Sequence, residues 1–239
     1  MKRNHEQTAL ITGASRGFGR ALAHALAVRG WRLVIDGRDR ETLEGTAREV
    51  GRLTEVRAVV GDVTDPAHHE ELAEAVRSLG LLDLLVNNAS TLGASPQPFL
   101  LEAPQPMVEA VFRTNLLAPL ALIQVLSLHF APKVQIVNVT SDAAVEAYAG
   151  WGAYGSSKAA LEQMSAILAV ERPEWRVYRF DPGDMRTRMH QEAFPGEDIG
   201  DRPLPEARVP ALLRLLEEDL PSGRYTAAEM AVASEGGDA

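Results

Sequence analysis

The chain has 239 residues, of which 46% are hydrophobic, and this is enough for one sizeable core in a single domain spanning 1–239. Its net charge of −9 argues against a general nucleic-acid binder, because such a protein must neutralise phosphates. The absence of cysteine excludes disulfides, thiolate metal sites and a cysteine nucleophile.

Signals for targeting and for metal binding are weak. The polar residues 1–7 and the break at Gly13 do not form a signal peptide, and we expect no stretch to approach the roughly 20 apolar residues of a membrane span. We therefore expect a soluble, cytoplasmic protein without a membrane partner. The adjacent His68 and His69 lie at the polar start of a predicted helix, where we expect them to be solvated, so no metal site is predicted.

Short apolar runs alternate along the chain with segments of helical period. The runs predict seven strands, at 8–12, 33–35, 56–60, 82–86, 134–139, 177–180 and 223–227. The intervening segments predict helices near 18–29, 40–52, 66–79, 106–130, 153–171 and 209–216. Continuous apolar strands separated by helices indicate a parallel sheet covered on both faces. The expected fold is therefore α/β, a doubly wound, three-layer, Rossmann-like sheet whose ligands bind over the carboxyl ends of the strands.

The segment from Thr12 to Gly19 follows the first strand and opens the first helix, with glycines spaced Gly-x-x-x-Gly-x-Gly. Gly13 allows a sharp turn, Gly17 lets the backbone approach a pyrophosphate at the positive helix end, and Gly19 allows close packing of helix on strand. This pattern favours a dinucleotide site, although glycines at such a turn serve geometry alone in many folds.

The end of the second strand bears on which nicotinamide cofactor is bound. Asp36 can accept from a ribose 2′-hydroxyl, whereas Arg38, together with Arg16 in the glycine turn, can neutralise a 2′-phosphate. Asp36 is one residue short of the position expected for a ribose ligand, so the sequence favours NADP(H) over NAD(H). An N-cap-like Asp36 and an ordinary solvated Arg38 fit the same residues.

Tyr154 and Lys158 lie four residues apart in the helix predicted at 153–171, so about 40° separates their side chains on one face. Lysine is rare in this chain, where Lys2, Lys133 and Lys158 are the only three among 24 basic residues. Arginine cannot replace a compact ammonium that binds a sugar edge and tunes a neighbour's acidity. The pair indicates a catalytic phenol beside its cation, although a surface pair on a helix fits the same spacing.

Six motifs in order give the chain a family resemblance. They are Thr12 to Gly19, Asp62-Val63, Asn87-Asn88-Ala89-Ser90, Asn115, Ser141 with Tyr154 and Lys158, and Asp181-Pro182-Gly183 through Thr187. From about residue 8 to about residue 187, the chain resembles the single-domain branch of the short-chain dehydrogenase/reductase family. The resemblance implies an enzyme that transfers a hydride between a nicotinamide cofactor and a small-molecule carbonyl or secondary alcohol.

The resemblance also implies site residues. The catalytic residues would be Asn115, Ser141, Tyr154 and Lys158. The cofactor-binding residues would be Gly13, Ser15, Arg16, Gly17, Phe18, Gly19, Arg38, Asp62, Val63, Asn88, Ala89, Ser90, Tyr154, Lys158, Pro182, Gly183, Met185 and Thr187. Among these, Asp62 would hold the adenine amino group with Val63 against the ring, Asn88 and Ala89 would line the ribose, and 182–187 would position the nicotinamide.

In the mechanism that the resemblance implies, the Tyr154 phenol gives a proton to the developing alkoxide, or takes one during oxidation. Lowering its pKa from about 10 to about 7 requires about 4 kcal/mol, which one ammonium about 4 Å away supplies at an effective dielectric of about 20. We therefore expect Lys158 to lower the pKa of Tyr154. Ser141 would hold the substrate oxygen, and Asn115 would anchor a water that reconnects the lysine to solvent.

Other segments carry weaker expectations. Ser90 stands where the family has glycine and is expected to crowd the ribose slightly, and 142–144 lacks the glycine that often follows the serine. The segment at about 185–206 is expected to be a substrate lid that orders on binding, and 232–239 a flexible tail. A partly apolar substrate pocket would draw on Leu92, Tyr148, Trp151, Met185 and Met189.

Two of the predicted helices have apolar residues on nearly every face, in the segments 116–128 and 161–169. This pattern and the family's habit favour a homodimer or homotetramer over full burial within one subunit. Two other functions remain open: a non-catalytic NAD(P)-binding regulatory protein on the same fold, and an NAD(H)-dependent alcohol dehydrogenase. A sugar-nucleotide epimerase is disfavoured by the glycine spacing. The sequence names no substrate.

Overall fold

The computed structural model describes residues 6–232, and the order of its strands confirms the predicted α/β fold. The strands are β1 (Thr8–Ile11), β2 (Arg32–Gly37), β3 (Val56–Val60), β4 (Leu82–Asn87), β5 (Phe130–Val139), β6 (Arg176–Asp181) and β7 (Gly223–Thr226). All pair in parallel, in the order β3-β2-β1-β4-β5-β6-β7. From β1 the chain adds β2 and β3 on one side of the sheet, and then β4 to β7 on the other side. The strand order therefore switches between β1 and β4, where doubly wound folds bind ligands.

Nine α-helices flank this sheet in the described residues. They are α1 (Gly17–Val28), α2 (Arg40–Val50), α3 (Pro66–Leu79), α4 (Gln105–Phe112), α5 (Ala118–Leu126), α6 (Gly152–Glu171), α7 (Arg188–Ala193), α8 (Val209–Glu217) and α9 (Ala227–Val232). The sequence did not predict α7 and α9, which have six residues each. The tail expected at 232–239 lies outside the described residues apart from Val232, which ends α9.

Neighbouring residues of the central strands pack on opposite faces of the sheet. On β1, Leu10 joins a cluster with α3 and α5, whereas Ile11 joins a cluster with α1 and α8. Both residues are fully buried. This two-sided burial explains why the strands read as continuous apolar runs rather than as alternating ones.

The helix predicted at 106–130 consists of several pieces. A π-helical turn, Arg113–Leu117, separates α4 from α5, and a short 3₁₀ turn, Ser127–His129, follows α5. The expectation that no stretch approaches a membrane span is wrong for this segment, because Gln105–His129 has the length and the mean hydropathy, 1.5, of a crossing helix. In the fold, α5 packs against α3 and the π turn packs against α6. Core helices pass the same test of length and composition, so the finding assigns no membrane location.

Candidate active site

A cleft of about 1240 Å³ lies over the carboxyl ends of the strands. Most of the residues predicted to bind cofactor or to act in catalysis line it, namely Gly13, Ser15, Arg16, Gly17, Phe18, Arg38, Asp62, Val63, Asn88, Ala89, Ser90, Ser141, Tyr154, Lys158, Pro182, Gly183, Met185 and Thr187. The two remaining predicted residues, Gly19 and Asn115, lie behind its wall. The fold thus brings motifs spread over 175 residues, from Gly13 to Thr187, to one surface.

Hydrogen bonds join the glycine turn to the turn after β4. The Thr12 hydroxyl oxygen accepts from the backbone N–H groups of Asn88 and Ala89, both at 2.9 Å. The Asn88 side chain in turn donates to the carbonyls of Thr12, at 2.8 Å, and Gly13, at 3.2 Å. A Cβ on Gly19 would lie 2.6 Å from both the Gly13 oxygen and the Asn88 amide nitrogen, so only glycine fits there. These contacts fix the path of the chain from β1 into α1.

Both carboxylate oxygens of Asp36, at the end of β2, have partners within the protein. One carboxylate oxygen accepts from the Gly13 N–H at 2.6 Å, and the other lies 3.1 Å from His68 Nε2. The residue is 1% exposed. Burial raises the pKa of Asp36, although hydrogen bonds from His68 and Gly13 oppose this rise. Burial lowers the pKa of His68, but the contacts of His68 with Asp36 and Glu71 together raise it more, so its net pKa is raised. Asp36 therefore braces the glycine turn and is not an N-cap, because Asp39 caps α2.

The expectation that His68 and His69 are solvated is wrong, because both are buried. His68 reaches Asp36 under the glycine turn, and His69 Nε2 lies 2.6 Å from the Val63 carbonyl oxygen. Asp65 caps α3, since its side chain accepts from the Ala67 N–H. The first turn of α3, however, contacts the end of β2 and the loop after β3, and a polar pattern alone does not reveal these contacts.

Positive charge borders the cleft beside the end of β2. Arg38 is 75% exposed in its side chain and lies 4.0 Å from Asp62. Burial raises the pKa of Asp62, but hydrogen bonds from the Thr64 N–H and hydroxyl, both 2.8 Å, and the charges of Arg38 and His68 together lower it more, so the net pKa is lowered. Arg16 is the N-cap residue of α1 and also lines the cleft. Two arginines and one ionised carboxylate thus surround this end.

The geometry of the glycine turn fits a dinucleotide cofactor. Gly13 and Gly17 have φ angles of 65° and 56°, in the region that favours glycine. No described side chain caps the start of α1, and its first turn carries no acidic residue. The helix therefore presents backbone N–H groups and the positive end of its dipole to the cleft, as a pyrophosphate requires.

Tyr154 is 7% exposed and packs with Leu92 and Ala143. Burial raises the pKa of its phenol. The Ser141 and Ser90 hydroxyls act to lower that pKa, whereas the charge of Asp181 raises it further. The net direction is upward, opposite to the lowering that the sequence led us to expect. The phenol holds its proton strongly in this structure.

The serine and the lysine of the predicted catalytic set flank the phenol. The Ser141 hydroxyl donates to Asp142 at 2.8 Å and accepts from the Ala143 N–H at 3.2 Å. Lys158 is 2% exposed, and its ammonium donates to the Val139 carbonyl at 2.8 Å while lying 5.6 Å from the centre of the Tyr154 ring. Burial lowers the pKa of Lys158 to about 8, against the charge of Asp181. The lysine therefore remains mostly charged at pH 7.

Asn115 occupies the π turn between α4 and α5, a departure from helical geometry that is frequent at functional sites. Its side-chain oxygen accepts from the Ser90 hydroxyl at 3.0 Å and from the Thr91 N–H at 2.9 Å. Its side-chain nitrogen donates to the Thr91 carbonyl and to the Ser157 hydroxyl, both at 3.0 Å. Asn115 thus braces the loop after β4 against α6, and Ser90, which replaces the family's glycine, takes part in this contact.

Aromatic rings line the far end of the cleft. The Trp151 ring lies 5.7 Å from the rings of both Tyr154 and Phe194, and 6.3 Å from that of Tyr148. All five residues expected to form an apolar substrate pocket line the cleft: Leu92, Tyr148, Trp151, Met185 and Met189. Sequence reasoning missed His190 and Phe194, four residues apart around the end of α7, whose rings are 4.9 Å apart. The signal for α7 was Thr187, whose hydroxyl accepts from the His190 N–H.

The model of a known family, the short chain dehydrogenases, matches residues 7–198. The chain belongs to the short-chain dehydrogenase family. The predicted family is thereby confirmed, and the protein is an oxidoreductase that acts between carbonyl and alcohol groups.

Named relatives of this short-chain dehydrogenase are reductases. It is 36% identical over 199 residues to sepiapterin reductase of Xenopus laevis, covering 77% of this chain and 75% of the relative. It is 34% identical to L-xylulose reductase of Bos taurus over 78% of this chain and 75% of that one. Among solved structures, a short-chain dehydrogenase from Shigella flexneri 2a in complex with NADP is 28% identical with a TM-score of 0.85, covering 94% of this chain and 98% of that one.

Proposed function

We propose that this chain is an NADP(H)-dependent carbonyl reductase in which Tyr154 supplies the proton. The observation that carries the proposal is the meeting of Tyr154, Ser141 and Lys158 on the wall of the same cleft as the glycine turn. A protein that only senses a dinucleotide requires the glycine turn but has no use for an aligned acid and its cation. The relatives named as reductases support the same direction of reaction.

Each side chain has a task in this reaction. The bound nicotinamide supplies the hydride, and the protein positions the carbonyl and delivers one proton. Ser141 hydrogen-bonds the carbonyl oxygen, and the Tyr154 phenol donates its proton to that oxygen as negative charge develops. A phenol whose pKa is raised by burial suits the acid role, because it stays protonated at neutral pH. Lys158, still mostly charged at pH 7, stabilises the phenolate that remains.

The preference for NADP(H) rests on charge at the end of β2. Both oxygens of Asp36 already have partners inside the protein, so this carboxylate is not free to bind a ribose hydroxyl. Arg38 and Arg16 border the same end of the cleft and can hold a 2′-phosphate. The NADP complex of the Shigella flexneri relative supports this preference.

Titration of the purified protein with NADPH and with NADH tests the cofactor. We expect NADPH to bind at least tenfold more tightly, and Arg38→Gln to weaken NADPH by roughly 10- to 100-fold while leaving NADH unchanged, since a charged hydrogen bond contributes about 1.5–3 kcal/mol. Arg40→Gln is the matched control, because Arg40 is exposed and pairs with Glu44 within α2. Equal affinity for both cofactors would refute the preference.

A panel of aldehydes and ketones under the preferred cofactor then tests the reaction and narrows the substrate. Oxidation of NADPH that depends on the carbonyl compound supports a reductase. Tight cofactor binding with no turnover of any compound in either direction would instead favour the regulatory alternative.

We further propose that the enzyme is a homodimer or homotetramer assembled through α5 and α6. Leu117 at the end of the π turn before α5, and Ile167 and Val170 on α6, expose 53%, 48% and 81% of their surfaces, so this region is not fully buried within one subunit. Light scattering at micromolar concentration tests this proposal, and the mass of one chain would contradict it.

A further inference from the structure

Arg224 on β7 joins three elements of the substrate half of the cleft. Its Nε donates to Glu162 Oε1 at 3.0 Å, and its Nη2 donates to Asp181 Oδ2 at 2.9 Å and to the Ser141 carbonyl at 3.3 Å. Glu162 lies on α6, Asp181 is the last residue of β6, and Ser141 lies in the turn after β5. We call these four residues the Arg224 network.

Each acceptor leads directly to a group that the reaction uses. Glu162 lies one helical turn after Lys158 and also accepts from the Thr140 hydroxyl at 2.8 Å. The second oxygen of Asp181 accepts from the Gly183 N–H at 2.9 Å and so shapes the turn expected at the nicotinamide. The third acceptor is the backbone of Ser141 itself. One guanidinium therefore fixes the helix of the proton donor, the serine and the loop after β6 relative to each other.

The network is not an ordinary surface pair. Glu162 and Asp181 are 8% and 6% exposed, and a buried carboxylate stays ionised only where a cation or hydrogen-bond donors compensate its charge. Arginine suits this task because its planar fork donates in several fixed directions while its charge is permanent. Arg224 also lies beyond residue 198, where the match to the family model ends.

We propose that Arg224 is a positioning residue for the reaction. It holds Ser141 and the loop after β6 in fixed positions relative to Tyr154 and Lys158. This proposal rests on the reductase function argued above. Arg224 does not touch the phenol or the ammonium itself, and it acts through its three acceptors.

The charge of Asp181 links this network to the proton donor. Arg224 of β7 pairs with Asp181 and with Glu162 of α6. The charge of Asp181 acts on Lys158 and Tyr154 of α6, and Asp142 in the turn after β5 acts on Asp181. Burial raises the pKa of Asp181, whereas the Gly183 N–H and Arg224 lower it. Removal of the guanidinium is therefore expected to raise the pKa of this carboxyl further and to leave the carboxylate without its cation.

The test compares Arg224→Lys, Arg224→Gln and the double variant Asp181→Asn/Arg224→Gln with the wild type. Arg176→Gln is the matched control, since Arg176 begins β6 at the far end of the strand and pairs with Asp219. We expect Arg224→Gln to lower kcat about 100-fold with KM changed less than about threefold, because misplacement of reacting groups mainly slows the chemical step. Arg224→Lys should lose about tenfold, and the control should stay within twofold.

A pH profile of kcat separates positioning from a general loss of stability. Arg224→Gln should show an added ionisation above the usual carboxyl range, and the double variant should lack it because the amide that replaces the Asp181 carboxyl does not titrate. A wild-type profile in Arg224→Gln, whether its kcat is normal or reduced, would overturn the proposal, since a merely structural arginine affects only the amount of folded enzyme.

Hydrogen exchange of the purified protein supplies a measurement that does not depend on turnover. The amide protons of residues 140–142, Asp181 and Gly183 should exchange faster in Arg224→Gln, and unchanged exchange there would overturn the proposal. If the wild type turns over no carbonyl compound but exchange responds as expected, the reductase function fails while the Arg224 network stands.

Discussion

The two halves of the cleft are held together by different kinds of atoms. Under β1 to β4, backbone groups and short side chains meet: the carbonyls of Thr12 and Gly13 accept from Asn88, and the Gly13 N–H donates to Asp36. Under β5 to β7, long charged side chains meet instead, with Arg224 reaching Glu162 and Asp181. The structure of the first half depends on the conformations that the backbone can adopt. The structure of the second half depends on contacts between charged side chains that are distant in the sequence.

This difference predicts separate consequences of mutation. Changes in the first half should alter the path of the chain into α1 and therefore the affinity for the cofactor. Changes in the second half should alter the alignment or the protonation of catalytic groups, and therefore the rate. The experiments below test this separation, from the largest expected effect to the smallest.

Tyr154→Phe should lower kcat by roughly 10²- to 10⁴-fold, the usual contribution of a positioned acid, while the affinity for NADPH changes little. The control is Tyr148→Phe, which removes a phenol from the same cleft wall. The Tyr148 hydroxyl oxygen lies 2.7 Å from a Glu146 carboxylate oxygen and 3.1 Å from an Asp142 carboxylate oxygen, and we expect loss of this hydroxyl to change kcat only a few-fold. Steady-state rates and a cofactor titration give both quantities. Near-normal turnover by Tyr154→Phe would show that another group supplies the proton.

The sequence predicted the first half of the cleft more fully than the second, for a physical reason. Gly13 and Gly19 are required by a positive φ and by contacts that exclude a Cβ, so backbone geometry leaves a readable pattern of residue types. Tyr154 and Lys158 were readable because one helical turn fixes their spacing. Arg224 left no such trace, because its partners are 43 and 62 residues away along the chain.

Burial was the main quantity that the sequence could not supply. Asp36 was weighed as a ribose ligand or a cap, and its pairing with His68 became visible only when α3 packed beneath the glycine turn. The pKa of Tyr154 was expected to fall because of one nearby ammonium, yet desolvation raises it. Pairwise spacing along a helix indicates which groups meet, but desolvation depends on everything packed around them.

Gly19→Ala tests the first half of the cleft. The added methyl would lie 2.6 Å from the Gly13 carbonyl oxygen, so α1 must shift and carry its N-terminal N–H groups with it. We expect NADPH affinity to fall about 10- to 100-fold and the free energy of unfolding to fall by about 1–3 kcal/mol. At saturating NADPH, kcat should remain close to that of the wild type.

The control for this change is Gly45→Ala in α2, where the added methyl meets only Arg48 Nη2, at 3.9 Å. Alanine in a helix interior should raise the free energy of unfolding by about 0.5–1 kcal/mol and leave NADPH affinity unchanged. A fall in kcat rather than in affinity for Gly19→Ala would mean that the two halves are not separable in this way.

Lys158→Met tests whether burial of the charged Lys158 side chain lowers the stability of the folded protein. The folded-state pKa of Lys158 is about 8, below its ordinary 10.5, so burial of the charged form destabilises the folded protein. That destabilisation, about 3 kcal/mol, is fully present below pH 8, declines between pH 8 and 10.5, and is absent above. Methionine removes the charge but leaves the Val139 carbonyl without its donor, which costs about 1 kcal/mol.

The Lys158→Met variant, which we expect to lose activity, should therefore be more stable than the wild type by about 2 kcal/mol at pH 7, and this advantage should shrink towards pH 10. Denaturant unfolding at several pH values, without added cofactor, measures it. Lys133→Met is the control, because Lys133 is exposed on β5 and should show no such dependence on pH. An advantage that is constant with pH would mean that packing of the methionine, rather than relief of a buried charge, explains it. Only a dependence on pH that is absent from the control links the stability of this half to the charge that the reaction requires.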